Sequence, residues 1–343
     1  MDEFLQDKQR LEIKRIVDDI IFESKILPLI GVITDDASCI KKLPNVKNVR
    51  ESTEGMFQEG EFNSSIIFQP PARRNLLVGK QLVGWGSTRI FVLDSGVNQN
   101  EVNVAECKDF SHTGISDAIN HGNVVAKIVK YFAKGSQLYV GKIGNKKPDE
   151  LVLIQAIEWA ASKGANIINI SAGFARDRVG VDCKDGDCDI CTLVNTIASK
   201  GIAVVVAAGN RSMQINSIDC PGNAMNSITV GAVDKDMDIA GYSSIGSPGQ
   251  NKPNLVAPGD GYLNLVPFSG TSFSAPYVSG VLGAILNKVG NIEESIEYIY
   301  KTCIDLNKPF HYQGVGCISL ERLVEAISNE DLNIESKGQN ESS

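Results

Sequence analysis

The sequence predicts an α/β fold in which a mostly parallel central sheet is covered by helices on both faces, preceded by a small α+β unit. Three observations carry that prediction. The segments Arg89 to Leu93, Leu138 to Ile143, Asn166 to Ser171 and Ile202 to Ala208 are short and nearly all apolar, as strands buried on both faces are. Between them lie stretches with apolar residues at helical spacing. Single glycines, Gly164 and Gly201 among them, stand where a helix gives way to the next strand. Strands and helices in alternation specify a parallel sheet with crossover helices.

The chain has 343 residues, enough for one large domain and a small appendage. Apolar residues make up 43% and charged residues 22%, ordinary for a globular protein with a sizeable core. A net charge of -8 and no long Lys/Arg run argue against a nucleic-acid surface. No window reaches the roughly 18 apolar residues of a membrane span, and the N-terminus carries charges throughout, unlike a secretory signal. The expectation is therefore a cytoplasmic protein, or one exported by an unconventional route. In that setting the eight cysteines point to free thiols or metal before disulfides.

Residues 2 to 24 place Phe4, Leu5, Leu11, Ile13, Ile16, Val17, Ile20 and Ile21 at helical spacing, which predicts an amphipathic helix ended by Pro28. Leu29 to Thr34 and Val46 to Val49 read as short strands around a helical turn at Ser38 to Leu43. The polar stretch from Glu51 to Asn63 reads as a linker. The expected organisation is an N-terminal unit with its linker over 1–62, a large domain over 63–328 and a disordered tail over 329–343.

In the large domain, Leu76 to Val83 reads as a short helix. The strand from Arg89 ends in Asp94-Ser95-Gly96, which puts a carboxylate at the C-terminal sheet edge where open α/β folds build their sites. His121-Gly122 opens an apolar helix running to Phe132. Leu151 to Ser162 and Leu193 to Ser199 are helices. The strand from Ile202 runs into Ala207-Ala208-Gly209-Asn210. Last, Gly270-Thr271-Ser272 leads into a small-residue apolar run to Leu286, a helix buried on all sides with a serine in its first turn.

A hydroxyl there lies beside unpaired backbone N–H groups and the positive end of the helix dipole, where an anion is stabilised. Alone, Ser272 is a helix cap, Asp94 a turn former and Asn210 a turn residue. Together they supply a nucleophile, an acid that orients a base, and an oxyanion donor. A serine needs such a base, and of the three histidines only His121 stands at the start of a buried helix.

These four segments, Asp-Ser-Gly at 94, His-Gly at 121, Ala-Ala-Gly-Asn at 207 and Gly-Thr-Ser-x-Ser-Ala-Pro at 270, resemble the subtilisin-like serine peptidases in residues and in order, over roughly residues 75 to 328. The resemblance implies a three-layer sandwich and peptide-bond hydrolysis through an acyl-enzyme. Ser272 would be the nucleophile, His121 the base, Asp94 its orienting acid, and Asn210 with the Ser272 N–H the oxyanion hole. It implies that Ser171-Ala172-Gly173 pairs with extended substrate and that Ala207-Ala208-Gly209 forms the other wall of the pocket. No cofactor is needed for catalysis. A lipase elbow is disfavoured, since Ser274 stands where its second glycine would be.

Four features depart from the family pattern. Asp219 falls near the pocket floor, where an acid favours Arg or Lys at P1, although Arg211 could neutralise it. The chain after His121 lacks the long loop of the family's tight calcium site, so that ion is not expected. Cys183, Cys188 and Cys191 occupy an insertion, and Cys220 lies near the pocket; these four could bind structural zinc, form disulfides or remain free thiols. The N-terminal unit resembles a short propeptide, an intramolecular inhibitor, with cleavage in the linker near Glu59 to Asn63 or after Arg73 or Arg74. The expected function is a serine endopeptidase in limited processing of a specific polypeptide; the alternative is a catalytically silent, peptide-binding scaffold.

Overall fold

A computed structural model of the protein describes residues 88–175, 186–263 and 266–329, with Cys183 and shorter stretches between residues 13 and 68. The expected helix at Leu76 to Val83 and the tail beyond residue 329 lie outside the described residues.

Ahead of the sheet, β1 (Asp19–Glu23) and β2 (Ile30–Ile33) form an antiparallel hairpin, followed by α1 (Ala37–Lys41). This corrects the helix expected up to residue 24: Asp-Ile-Ile-Phe-Glu is a β-branched and aromatic run whose pairing with β2 overrides the helical spacing. Among the described residues of Val46 to Val49 there is no strand. Two short strands follow, β3 (Met56–Phe57) and β4 (Ile66–Phe68).

Seven parallel strands make the central sheet: β5 (Arg89–Asp94), β6 (Glu106–Asp109), β7 (Gln137–Lys142), β8 (Ile167–Ile170), β10 (Ala203–Ala207), β11 (Ile228–Val233) and β12 (Leu255–Pro258). Their spatial order is β12-β11-β10-β8-β5-β7-β6. From β5 the chain goes to the edge at β6, returns to β7 beside β5, then crosses to β8 and builds outward through β10, β11 and β12 on the other side. That reversal leaves a crevice beyond the carboxyl ends of β5 and β8, the place where such sheets bind ligands.

Side-chain alternation along β5 feeds two cores. Ile90 and Val92 face α2 (His121–Phe132) and α5 (Thr271–Val289), while Phe91 and Leu93 face α3 (Glu150–Ser162) and α4 (Asp189–Ala198). Helix α5 packs against α2 and under β8, β10, β11 and β12, and burial of Val278, Val281, Leu282 and Ile285 is complete or nearly so. Each such side chain contributes about 1.5–3 kcal/mol of transfer free energy. The hairpin of β13 (Asp260–Leu263) and β14 (Val266–Ser269) delivers the chain to α5, with β4 added to its edge and β9 (Ala172–Gly173) standing just past β8. Helices α6 (Ile292–Thr302) and α7 (Phe310–Gln313) and a last helix over 320–329 follow. Among the described residues no helix is long and apolar enough to cross a membrane.

Candidate active site

Asp94 is the last residue of β5 and is fully buried. Its Oδ1 accepts the Ser95 N–H at 2.7 Å and lies 2.7 Å from His121 Nδ1. His121 is the first residue of α2 and is 1% exposed. A carboxylate on Nδ1 makes that nitrogen the protonated one and leaves the lone pair on Nε2. Gly122 permits this approach, because a β-carbon there would strike the Gly96 carbonyl and stand 3.1 Å from Asp94 Oδ1.

The ring is also held through its backbone, by residues the sequence reading missed. The Gly122 N–H donates to Ser95 Oγ at 2.9 Å, and Ser95 Oγ donates to Asp117 Oδ1 at 2.8 Å. Asp117 Oδ2 accepts the Asn123 N–H at 2.8 Å, so this carboxylate satisfies the first turn of α2. Burial pushes the Asp117 carboxyl up, the Asn123 N–H draws it back, and the nearby Asp94 charge pushes it up again.

Ser272 opens α5 one residue after Thr271 and is fully buried. Pro276 stands four residues on. It has no N–H to give to the Ser272 carbonyl, and the Ser171 hydroxyl donates to that carbonyl instead, at 2.9 Å. Ser272 Oγ in turn donates to the Ser171 carbonyl at 3.0 Å. The two serines thus clasp the start of α5 to the strand that was expected to bind substrate. Phe273 lies against the His121 ring, centroids 5.6 Å apart, and shields that side from water.

Asn210 follows β10. Its Oδ1 accepts both the Thr271 N–H and the Thr271 hydroxyl, each at 3.0 Å, while Thr271 Oγ1 accepts the Gly209 N–H at 3.0 Å. With Oδ1 so engaged, Nδ2 is the end left to serve a ligand. Gly270, at φ +152°, makes room for it: a β-carbon there would sit 2.9 Å from Asn210 Nδ2. Gly-Thr-Ser is a tripeptide in which the first residue clears the amide, the second orients it and the third carries the hydroxyl.

The two expected pocket walls lie on either side of Asp219. Its Oδ2 would be 3.2 Å from a β-carbon on Gly173 and 2.9 Å from one on Gly209, and its N–H donates to the Ala208 carbonyl at 3.0 Å. The carboxylate is buried and ion-paired to Arg211 Nε at 2.8 Å, the arginine being 33% exposed. The partner foreseen for Asp219 is therefore engaged with it.

Along the other wall, β9 carries a strand already: β3 pairs antiparallel with it, Met56 opposite Gly173 and Phe57 opposite Ala172. Ions anchor the approach, with Arg50 Nη2 at 2.6 Å from Glu150 and 2.8 Å from Asp189, and the Ser52 hydroxyl donating to Asp149 at 2.8 Å. Farther up the chain, Phe22, Ile26, Leu27 and Leu29 pack on the core beneath α3. The four cysteines singled out in the sequence, Cys183, Cys188, Cys191 and Cys220, come together in one buried cluster beside this wall.

Comparison with known proteins gives a consistent picture. The Subtilase family pattern matches residues 86–316. The chain is 25% identical over 308 residues to the M-protease of Shouchella clausii strain KSM-K16, covering 83% of this chain and 74% of that one. It is 27% identical over 313 residues to subtilisin E of Bacillus subtilis strain 168, covering 82% and 76%. Among solved structures, the prenylagaramide maturation protease PagA superposes with a TM-score of 0.60 at 23% identity, covering 75% of this chain and 98% of that one. A lanthipeptide protease superposes at 0.61 and 18% identity, covering 72% and 90%. At these identities the superpositions speak to the fold alone.

Proposed function

The chain belongs to the subtilase family and is a subtilisin-like serine endopeptidase, and on that premise we propose that Asp94, His121, Ser272 and Asn210 cleave one kind of precursor polypeptide. The observation that supports this most is the buried His121–Asp94 pair at 2.7 Å at the sheet edge where Ser272 enters α5.

In this reading Ser272 Oγ leaves the Ser171 carbonyl and turns to His121. As Oγ bonds to the scissile carbonyl carbon, His121 Nε2 takes its proton, and Asp94 stabilises the imidazolium from the Nδ1 side. The oxyanion is met by the Ser272 N–H, free of an intrahelical partner in the first turn of α5, and by Asn210 Nδ2. His121 returns the proton to the leaving amine, the C–N bond breaks and an acyl-enzyme remains. Water then repeats the sequence.

Two similar structures are a prenylagaramide maturation protease and a lanthipeptide protease. Limited processing of a specific precursor is accordingly the role proposed here. Residues 56–57 are the first occupant of the substrate wall, which supports reading the N-terminal unit as an intramolecular inhibitor.

Asp219 sets the proposed pocket preference. Its charge is balanced by Arg211, so an Arg or Lys side chain at P1 has to move the half-buried arginine aside before it reaches the carboxylate. Fragment mapping of a peptide library with the wild type, Ser272→Ala and Asp219→Asn tests both parts. Cleavage by the wild type and none by Ser272→Ala is expected, with basic P1 residues enriched and the enrichment lost in Asp219→Asn. Equal cleavage by Ser272→Ala contradicts the nucleophile, and unchanged P1 selectivity in Asp219→Asn contradicts the pocket assignment.

A further inference from the structure

We propose that Cys183, Cys188, Cys191 and Cys220 hold a structural zinc ion in a tetrahedral site that fastens the insertion to the floor of the substrate pocket. All four side chains are buried, and their sulfurs lie within 4.8 Å of one another. Cys183 and Cys191 Sγ are 4.0 Å apart. Zinc–sulfur bonds of about 2.3 Å place the sulfurs of a tetrahedron about 3.8 Å apart. A disulfide requires about 2.0 Å. Four soft donors with no oxygen or nitrogen among them select zinc over calcium or magnesium.

The start of α4 and nearby N–H groups face the cluster. Cys188 is the N-cap residue of α4 and Cys191 lies in its first turn, where the helix dipole favours negative charge. Cys183 Sγ accepts the Cys188 N–H, and the Asn223 amide lies 4.0 Å from Cys220 Sγ, the kind of N–H···S contact that orients metal-bound cysteines.

An independent observation is Lys252, which is 4% exposed. Its Nζ donates to the Ser227 carbonyl, Ser227 Oγ, Thr229 Oγ1 and Asn254 Oδ1, all of them neutral oxygens. A buried ammonium needs a countercharge. Burial pushes the Lys252 ammonium down to about 7, and a negative charge at the neighbouring Cys191 draws it back up. Zinc with four thiolates carries a net charge of about -2 and supplies that countercharge.

The site would act on the pocket through the backbone. Phe174, the residue after the Gly173 wall, exchanges two hydrogen bonds with Cys220, N–H to carbonyl at 2.9 Å and 3.0 Å. Asp219 is the next residue along. On the opposite side Gly186, at φ +75°, presses so closely on the Asn223 carbonyl that a β-carbon would collide with it. One ion thereby ties the insertion, the wall and the pocket floor together.

The test uses full-length protein purified in reducing buffer without chelator. About one zinc per chain is expected by elemental analysis. Cobalt exchanged into the site should give thiolate-to-cobalt charge transfer and the d–d bands of a tetrahedral centre. Cys220→Ser and Cys188→Ser should lose the metal, and Cys303→Ser should keep it. Should the ligand variants fail to fold, the cobalt spectrum of the wild type decides by itself. Chelator-stripped protein should show a lower Tm and a higher KM for peptide, both restored by added zinc. Metal-free protein with four free thiols here, a mass showing two disulfides, or iron with acid-labile sulfide would each overturn the proposal. The metal content, the cobalt spectrum and the Tm do not depend on Ser272 being the nucleophile.

Discussion

At Asn210 two hydrogen bonds decide which end of the amide faces the reaction. Thr271 occupies Oδ1 with its N–H and its hydroxyl, which leaves Nδ2 as the proposed donor to the oxyanion. Asn210→Ala is expected to lower kcat with little change in KM, because the donor acts on charge that develops only in the transition state. The size expected is the loss of about 10²–10³-fold known for removal of such a donor in subtilisin. Steady-state kinetics on one peptide checks it, and a change confined to KM would contradict the role. The placement of Asp94, His121, Asn210 and Ser272 at or near the ends of their elements was legible in the sequence, because each sits in a short motif. Ser95, Asp117 and the Ser171 hydroxyl were not. They act through contacts between positions 22 or 101 residues apart, and no local spacing records them.

The elements divide in the same way. Buried strands such as β8 and β10 announced themselves as apolar runs, and α2, α3 and α5 by their length and apolar content. Strand β1 did not: its Ile-Ile-Phe core fits either period over so short a span, and the pairing with β2 decided it. Strand β3 was hidden inside a polar linker, since two residues carry no period. Its antiparallel register on β9 runs from Gly173 towards Ser171, the residue that clasps Ser272. A segment tethered in this way competes with substrate at high effective concentration. Replacing Met56 and Phe57 with proline removes backbone N–H groups from that pairing, and the initial rate on peptide is expected to rise severalfold over freshly folded wild type. With a basic P1 preference, N-terminal sequencing should locate self-cleavage after Arg73 or Arg74 in the wild type and find none in Ser272→Ala. An unchanged initial rate in the proline variant would show that β3 does not inhibit.

For the whole molecule, the reversal of strand order at β5 and β8 gathers residues 94, 121, 210 and 272 at one sheet edge. The strand and helix alternation made the parallel sheet legible, whereas the strand order was not read from the sequence, because pairing between distant strands leaves no local spacing. Strands β11 and β12 and helix α6 complete the half beyond β10. They carry no chemistry, and no motif drew the reading to them. The central claim is that this edge makes Ser272 alone, among the many serines of the chain, a nucleophile. Treatment with a fluorophosphonate followed by intact-mass and peptide mapping measures that directly. One adduct per wild-type chain is expected, on Ser272, formed slowly or not at all in His121→Ala and absent in Ser272→Ala. No adduct on a folded wild-type chain from which the N-terminal segment has been released, or an equal adduct on Ser272→Ala, would contradict it.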